Sequence, residues 1–143
     1  MKFWDSSAVI SLCVSEPTSA AMGALLRDDP AMVAWWSTRI ECVSGLLRRS
    51  REGSLSAAGV AQARAVLRAL TASWVEVATS ESVRTIAARV LAAHALRVAD
   101  SLQLAAALIW CDEDPQGTDL VSYDARLREA AIREGFGVLP RST

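Results

Sequence analysis

The sequence predicts an α/β domain: a mostly parallel central sheet of about five strands with helices on both faces. Three observations predict it. Short apolar runs of strand length alternate with amphipathic helical stretches along the chain. Its 143 residues make one ordinary domain, and 52% apolar content with only 7 Gly and 4 Pro leaves little room for disorder. No repeat, linker or low-complexity tract divides it, so residues 1–143 read as a single domain.

Lys2 to Asp5 (KFWD) has the composition of a first strand, followed at once by Ser-Ser and the apolar run AVISLCV. Pro17 sits where a first helical position is expected, and helical periodicity runs to Leu26 before the Asp28-Asp29-Pro30 turn. Met32 to Trp36 (MVAWW) is the second strand. Ser37-Thr38 opens a helix with Ile40, Val43, Leu46 and Leu47 on one face, ending near Gly53. Another helix covers about Ser56 to Leu70, and Trp74 to Ala78 (WVEVA) alternates like a strand. Ser80 to Ala95 and Asp100 to Trp110 are helical, the second almost wholly Leu and Ala after its acid. Past the acidic turn CDEDPQGT come the strand DLVSY, an amphipathic helix from Ala125 to Glu134 and a last short strand in Gly135 to Leu139.

The net charge of −1 selects no partner. Lys2 is the only lysine, so the basic residues are otherwise arginine, which suits phosphate contacts but is better explained by a GC-rich genome. Cys13, Cys42 and Cys111 make neither a zinc spacing nor a disulfide framework and point to a reducing cytoplasm. No signal peptide or membrane-spanning run is expected.

Four acids stand at element junctions. Asp5 ends the first strand, Glu41 lies in the first turn after the second, Asp100 heads the apolar helix, and Asp124 follows DLVSY and opens the last helix. Asp5, Asp100 and Asp124 each read as a helix N-cap, worth about 1 kcal/mol, and Thr38 to Glu41 fits a capping box. Their collective placement reads differently. In an open parallel sheet the carboxyl ends of the strands share one edge, so Asp5 and Asp124 meet there with Glu41 close by. Carboxylates about 4 Å apart repel by roughly 4 kcal/mol per pair at an effective dielectric near 20. Helix N-termini offset only about 0.3–1 kcal/mol each. A divalent cation balances the charge, and oxygen donors without His or Cys select a hard ion, Mg²⁺ or Mn²⁺.

At these residues the sequence resembles the PIN-domain family and, within it, VapC-type toxins of toxin–antitoxin pairs. MKFWDSSAVISL, WSTRIECVSGLLRR, LRVADSLQLAAAL and DLVSYDARLREAA resemble its four blocks in order. The resemblance implies a five-stranded parallel sheet and a metal-dependent ribonuclease that leaves 3′-hydroxyl and 5′-phosphate ends. It implies metal ligands at Asp5, Asp100 and Asp124, and Glu41 ligating through water or positioning the nucleophile. Ser6 and Ser122 would hold carboxylates or water behind them. Extra residues around Asp112 to Thr118 leave Asp119 as a second candidate for the fourth acid. Asp124 is preferred, because Asp119 enters its strand at the opposite edge. The implied partners are RNA (tRNA or another structured RNA), a cognate antitoxin and a second copy of the chain. Helices at Ala20 to Leu26 and Ile40 to Leu47 offer a groove for the antitoxin.

His94, the single histidine, reads as structural. Arg48, Arg49 and Arg51 suit either RNA phosphates or a solvated helix end. Most tryptophans read as core; Trp35-Trp36 are both buried only if the sheet is covered on both faces. A receiver domain needs a lysine beside its phosphoryl site, a haloacid-dehalogenase-type phosphatase needs Asp-x-Asp, and a dinucleotide site needs early glycines; none is present. The remaining rival is a PIN-like module that binds RNA or protein without cutting.

Overall fold

The structure is a computed structural model describing residues 1–142. The strands are β1 (Lys2–Trp4), β2 (Met32–Trp35), β3 (Val75–Val77), β4 (Asp119–Val121) and β5 (Gly137–Leu139). The helices are α1 (Ser6–Cys13), α2 (Ser19–Asp28), α3 (Thr38–Arg51), α4 (Ala57–Ser73), α5 (Glu81–Ala93), α6 (Val98–Trp110) and α7 (Ala125–Glu134). All five strands are parallel, in the order β3-β2-β1-β4-β5.

The central strands alternate their side chains between two cores, which is why Phe3-Trp4, Met32 to Trp35 and Leu120-Val121 are unbroken apolar runs. Phe3, Val33, Trp35, Leu120 and Val138 face α5, α6 and α7. Trp4, Met32, Ala34 and Val121 face α1 to α4. The edge strands β3 and β5 have only three residues each, which limits pairing with other chains.

The strand order also locates the site. From β1 the chain steps outward through β2 to β3, then returns by α5 and α6 to β4 on the other side of β1. That reversal is a switch point, and a crevice opens there beyond the carboxyl ends of β1 and β4. Local chemistry seats the helices that start near it. The Asp5 carboxylate accepts from the Ser7 and Ala8 amides to open α1, and Asp124 accepts from the Leu127 amide to open α7. Gly135, at φ +111°, closes α7 in a left-handed conformation.

Several local readings shift. Pro17 stands two residues before α2, in a turn. α6 begins at Val98, so Asp100 is its third residue and Arg97 occupies the cap position. α3 is preceded by Ser37, and Thr38 accepts from Gln103 instead of closing a box with Glu41. β2 stops at Trp35, which leaves Trp36 out of both cores and 56% exposed. Trp4, Trp35 and Trp74 are buried. His94 lies just past α5, its Nε2 2.7 Å from Glu134 Oε2, and joins α5 to the end of α7.

Leu104, fully buried on α6, anchors that helix to the sheet. Leu104→Ala is expected to cost about 2–5 kcal/mol in urea denaturation. Ile132→Ala, at a 60% exposed position on α7, should stay within about 0.5 kcal/mol of the parent.

Candidate metal centre

Asp5, Glu41, Asp100 and Asp124 line one open cavity of about 600 Å³ at the carboxyl edge of the sheet. They arrive from four elements: the end of β1, the first turn of α3, the first turn of α6 and the loop after β4. Asp119 begins β4, in register with Gly137, and is not among the residues lining this cavity.

Asp5 is 3% exposed and both its oxygens are engaged. Oδ1 accepts from the Ser7 amide and the Ser7 hydroxyl, both at 2.6 Å, and from the Ala8 amide at 3.2 Å. Oδ2 accepts from the Ser122 hydroxyl at 2.5 Å. Burial nevertheless outweighs these bonds and pushes the Asp5 carboxyl up to about 6. Ser7 Oγ also accepts from the Tyr123 amide at 2.9 Å, and Ser122 Oγ from the Asp124 amide at 3.0 Å. The two serines thereby tie the start of α1 to the end of β4.

Glu41 is held by three side chains. Ser6 donates to Oε1 at 3.3 Å, while Ser37 and Gln103 donate to Oε2 at 2.5 and 3.2 Å. Gln103 Nε2 also reaches Thr38 Oγ1 at 3.0 Å, and its own Oε1 is buried without a hydrogen-bond partner. A buried lone pair of this kind is costly unless something in the site meets it.

Asp100 and Asp124 share Arg97. Its Nε lies 3.1 Å from Asp100 Oδ2 and its Nη2 2.8 Å from Asp124 Oδ2. Asp124 Oδ1 is committed to the Leu127 amide at 2.9 Å. Arg48 lines the same cavity; Arg49 lines it too and is paired with Glu16 at 2.7 Å.

Among the described residues no three acids, histidines or cysteines form a ready-made metal cage. Most of their oxygens are held by serines, Gln103, backbone amides and Arg97. The donor set still fits a hard divalent ion: every candidate ligand is oxygen, Gln103 on the cavity wall carries a buried carbonyl oxygen without a partner, and Mg²⁺ binds through one or two carboxylates while keeping several waters. Sequence reasoning passed over Ser7, Gln103 and Arg97. Gln103 was findable, as a polar residue within the apolar part of α6, three positions from Asp100 and so on its face. Arg97 stands three positions before Asp100, but nothing local shows that it also reaches Asp124.

No curated protein sequence matches the chain. Among the solved structures that resemble it in fold are three that cover most of the chain. They are PAE2754 from Pyrobaculum aerophilum (TM-score 0.63, 18% identity, 90% of this chain and 83% of that one), a toxin–antitoxin complex from Klebsiella pneumoniae (TM-score 0.61, 14% identity, 88% of each chain), and FitAcB from Neisseria gonorrhoeae (TM-score 0.66, 15% identity, 96% of each chain). At the level of sequence, the family model described as "PIN domain" matches residues 2–133, and the chain therefore belongs to the PIN domain family.

Proposed function

We propose that this protein is a Mg²⁺- or Mn²⁺-dependent endoribonuclease and the toxin of a toxin–antitoxin pair. The observation that carries the reading is the convergence of four carboxylates, from four separate elements, on one cavity at the switch point of the sheet. Family membership supports it, because PIN domains are generally nucleases that use divalent metals.

In this reading Asp5, Asp100 and Asp124 are the metal ligands. Ser7 and Ser122 orient Asp5, and Ser6, Ser37 and Gln103 orient Glu41. Glu41 then orients the attacking water in line with the scissile phosphodiester. Arg48 adds a cation on the cavity wall for a flanking phosphate. When bound, the divalent ion supplies Lewis-acid polarisation and a more acidic attacking water. No protein nucleophile is required: attack by water on phosphorus with O3′ as the leaving group breaks the P–O3′ bond, O3′ takes up a proton, and the ends are 3′-hydroxyl and 5′-phosphate.

The proposed partners are RNA, a cognate antitoxin and a second copy of this chain. The likeness to a chain from a toxin–antitoxin complex supports the antitoxin. No helix among the described residues is long and apolar enough to cross a membrane. Cys13, Cys42 and Cys111 are free thiols, and burial pushes the Cys13 thiol up to about 11. Such thiols suit the reducing cytoplasm proposed as the protein's location.

The test is cleavage of a mixed RNA pool by partner-free protein with Mg²⁺ or Mn²⁺, with and without EDTA. Asp100→Asn should lose at least about a hundredfold in rate, and Asp119→Asn should keep the parent rate. Equal cutting in EDTA, or loss in the Asp119 variant alone, would refute the assignment.

A second expectation concerns pH. The Asp5 carboxyl has a folded-state pKa of about 6, above its ordinary value of 3.8. Its neutral form therefore contributes stability that is present below 3.8 and lost as pH rises through 6. That loss amounts to about 3 kcal/mol at most. In EDTA, melting temperature should fall between pH 4 and 7 by on the order of 5 °C more in the parent than in Asp5→Asn. Parallel melting curves of the two proteins against pH would contradict it.

A further inference from the structure

We propose that Arg97 is the site's own substitute for the metal: it holds Asp100 and Asp124 together in metal-free protein, must withdraw for a divalent ion to bind, and so sets the ion concentration at which the site loads. The inference rests on the reading of these acids as metal ligands.

The geometry leaves little alternative at Asp124. One of its oxygens caps α7 through the Leu127 amide at 2.9 Å, so Oδ2 is the oxygen left for a ligand. That oxygen is the one Arg97 Nη2 holds at 2.8 Å. The same guanidinium holds Asp100 Oδ2 through Nε at 3.1 Å, while no described residue donates to Asp100 Oδ1. A cation that took Asp124 as a ligand would therefore compete with Arg97 for Oδ2. The guanidinium is planar and permanently charged, and its fork spans two acids as a point charge on a lysine cannot.

Arg97 is also placed to leave. Its side chain is 64% exposed, against 11% for Asp100 and 22% for Asp124. It stands at the cap position of α6 without a side-chain capping bond, so the helix start does not depend on its remaining there. Ion pairs with one exposed partner are individually weak, which suits a grip that an ion must break. The neighbouring acids have no such exchangeable partner: Asp5 is held by serines and backbone, Glu41 by Ser6, Ser37 and Gln103.

The test is calorimetric titration of Mn²⁺ into partner-free protein without RNA, comparing the parent with Arg97→Gln and Arg97→Lys. Loss of two weak, solvent-exposed ion pairs should tighten Mn²⁺ binding by Arg97→Gln about threefold to thirtyfold, with Arg97→Lys in between. In the parent protein, the Arg97 Nε–H signal in nuclear magnetic resonance should shift as diamagnetic Mg²⁺ is added, which needs no variant to fold. Equal or weaker binding by a folded Arg97→Gln, or an unmoved Arg97 signal at Mg²⁺ saturation, overturns the proposal and leaves the metal-centre reading standing. Absence of binding by parent and variants alike overturns both.

Discussion

The structure is organised around one buried carboxylate. Asp5 sits where β1 ends and α1 begins, at the point where the chain's strand order reverses. One of its oxygens starts α1 through backbone amides, and the other accepts from Ser122 just beyond β4. The two halves of the sheet are thereby joined by a charge-bearing group in almost complete burial. An apolar residue there would leave the opening amides of α1 and the Ser122 hydroxyl without their acceptor. The same burial raises the Asp5 pKa, so the group that completes the hydrogen bonding also carries an unrelieved cost when ionised. A cation at this edge would relieve that cost.

This explains why capping and metal binding are not rival accounts of the acids. A parallel sheet collects strand ends and helix starts on one edge, and a helix start needs an acceptor. Asp5 and Asp124 each use one oxygen on the backbone, and the other meets a side chain, Ser122 for Asp5 and Arg97 for Asp124. The cap fixes the rotamer, and with it the direction of that second oxygen. Asp100 reaches the cavity differently, as the third residue of α6, and is oriented by an arginine and not by a helix start.

The fold was legible because both cores are written in the strands. Phe3 and Trp4, or Val33 and Ala34, are apolar neighbours that must face opposite ways, and only a sheet covered on both sides accommodates them. The positions of Asp5 and Asp124 were legible for the same reason, since a strand followed at once by a helix fixes which edge its last residue occupies. What escaped were features set by contacts distant in sequence. Gln103 opposes Thr38 and Glu41 across 62 or more positions, and Arg97 meets Asp124 across 27. Trp36 escaped because a strand's last residue depends on its neighbour: β2 ends at Trp35, where its register with Val77 of β3 ends. The cap of α6 was misplaced by an acid that looks like a cap but is committed to a side chain elsewhere.

The four acids are stabilised in two distinct ways, and the difference divides the site. Asp5 and Glu41 are held by hydroxyls, amides and backbone that belong to packed elements; moving them would break contacts between β1, α3, α6 and β4. Asp100 Oδ2 and Asp124 Oδ2 are held by a single exposed side chain on a long, flexible stem, while Asp124 Oδ1 stays fixed as the cap of α7. Moving the first pair requires the fold to give way, whereas freeing these two oxygens requires one arginine to turn outward into water. If the site takes a divalent ion as proposed, this asymmetry serves it: Asp5 and Glu41 would preserve the geometry, and the two oxygens gripped by Arg97 would provide the entrance.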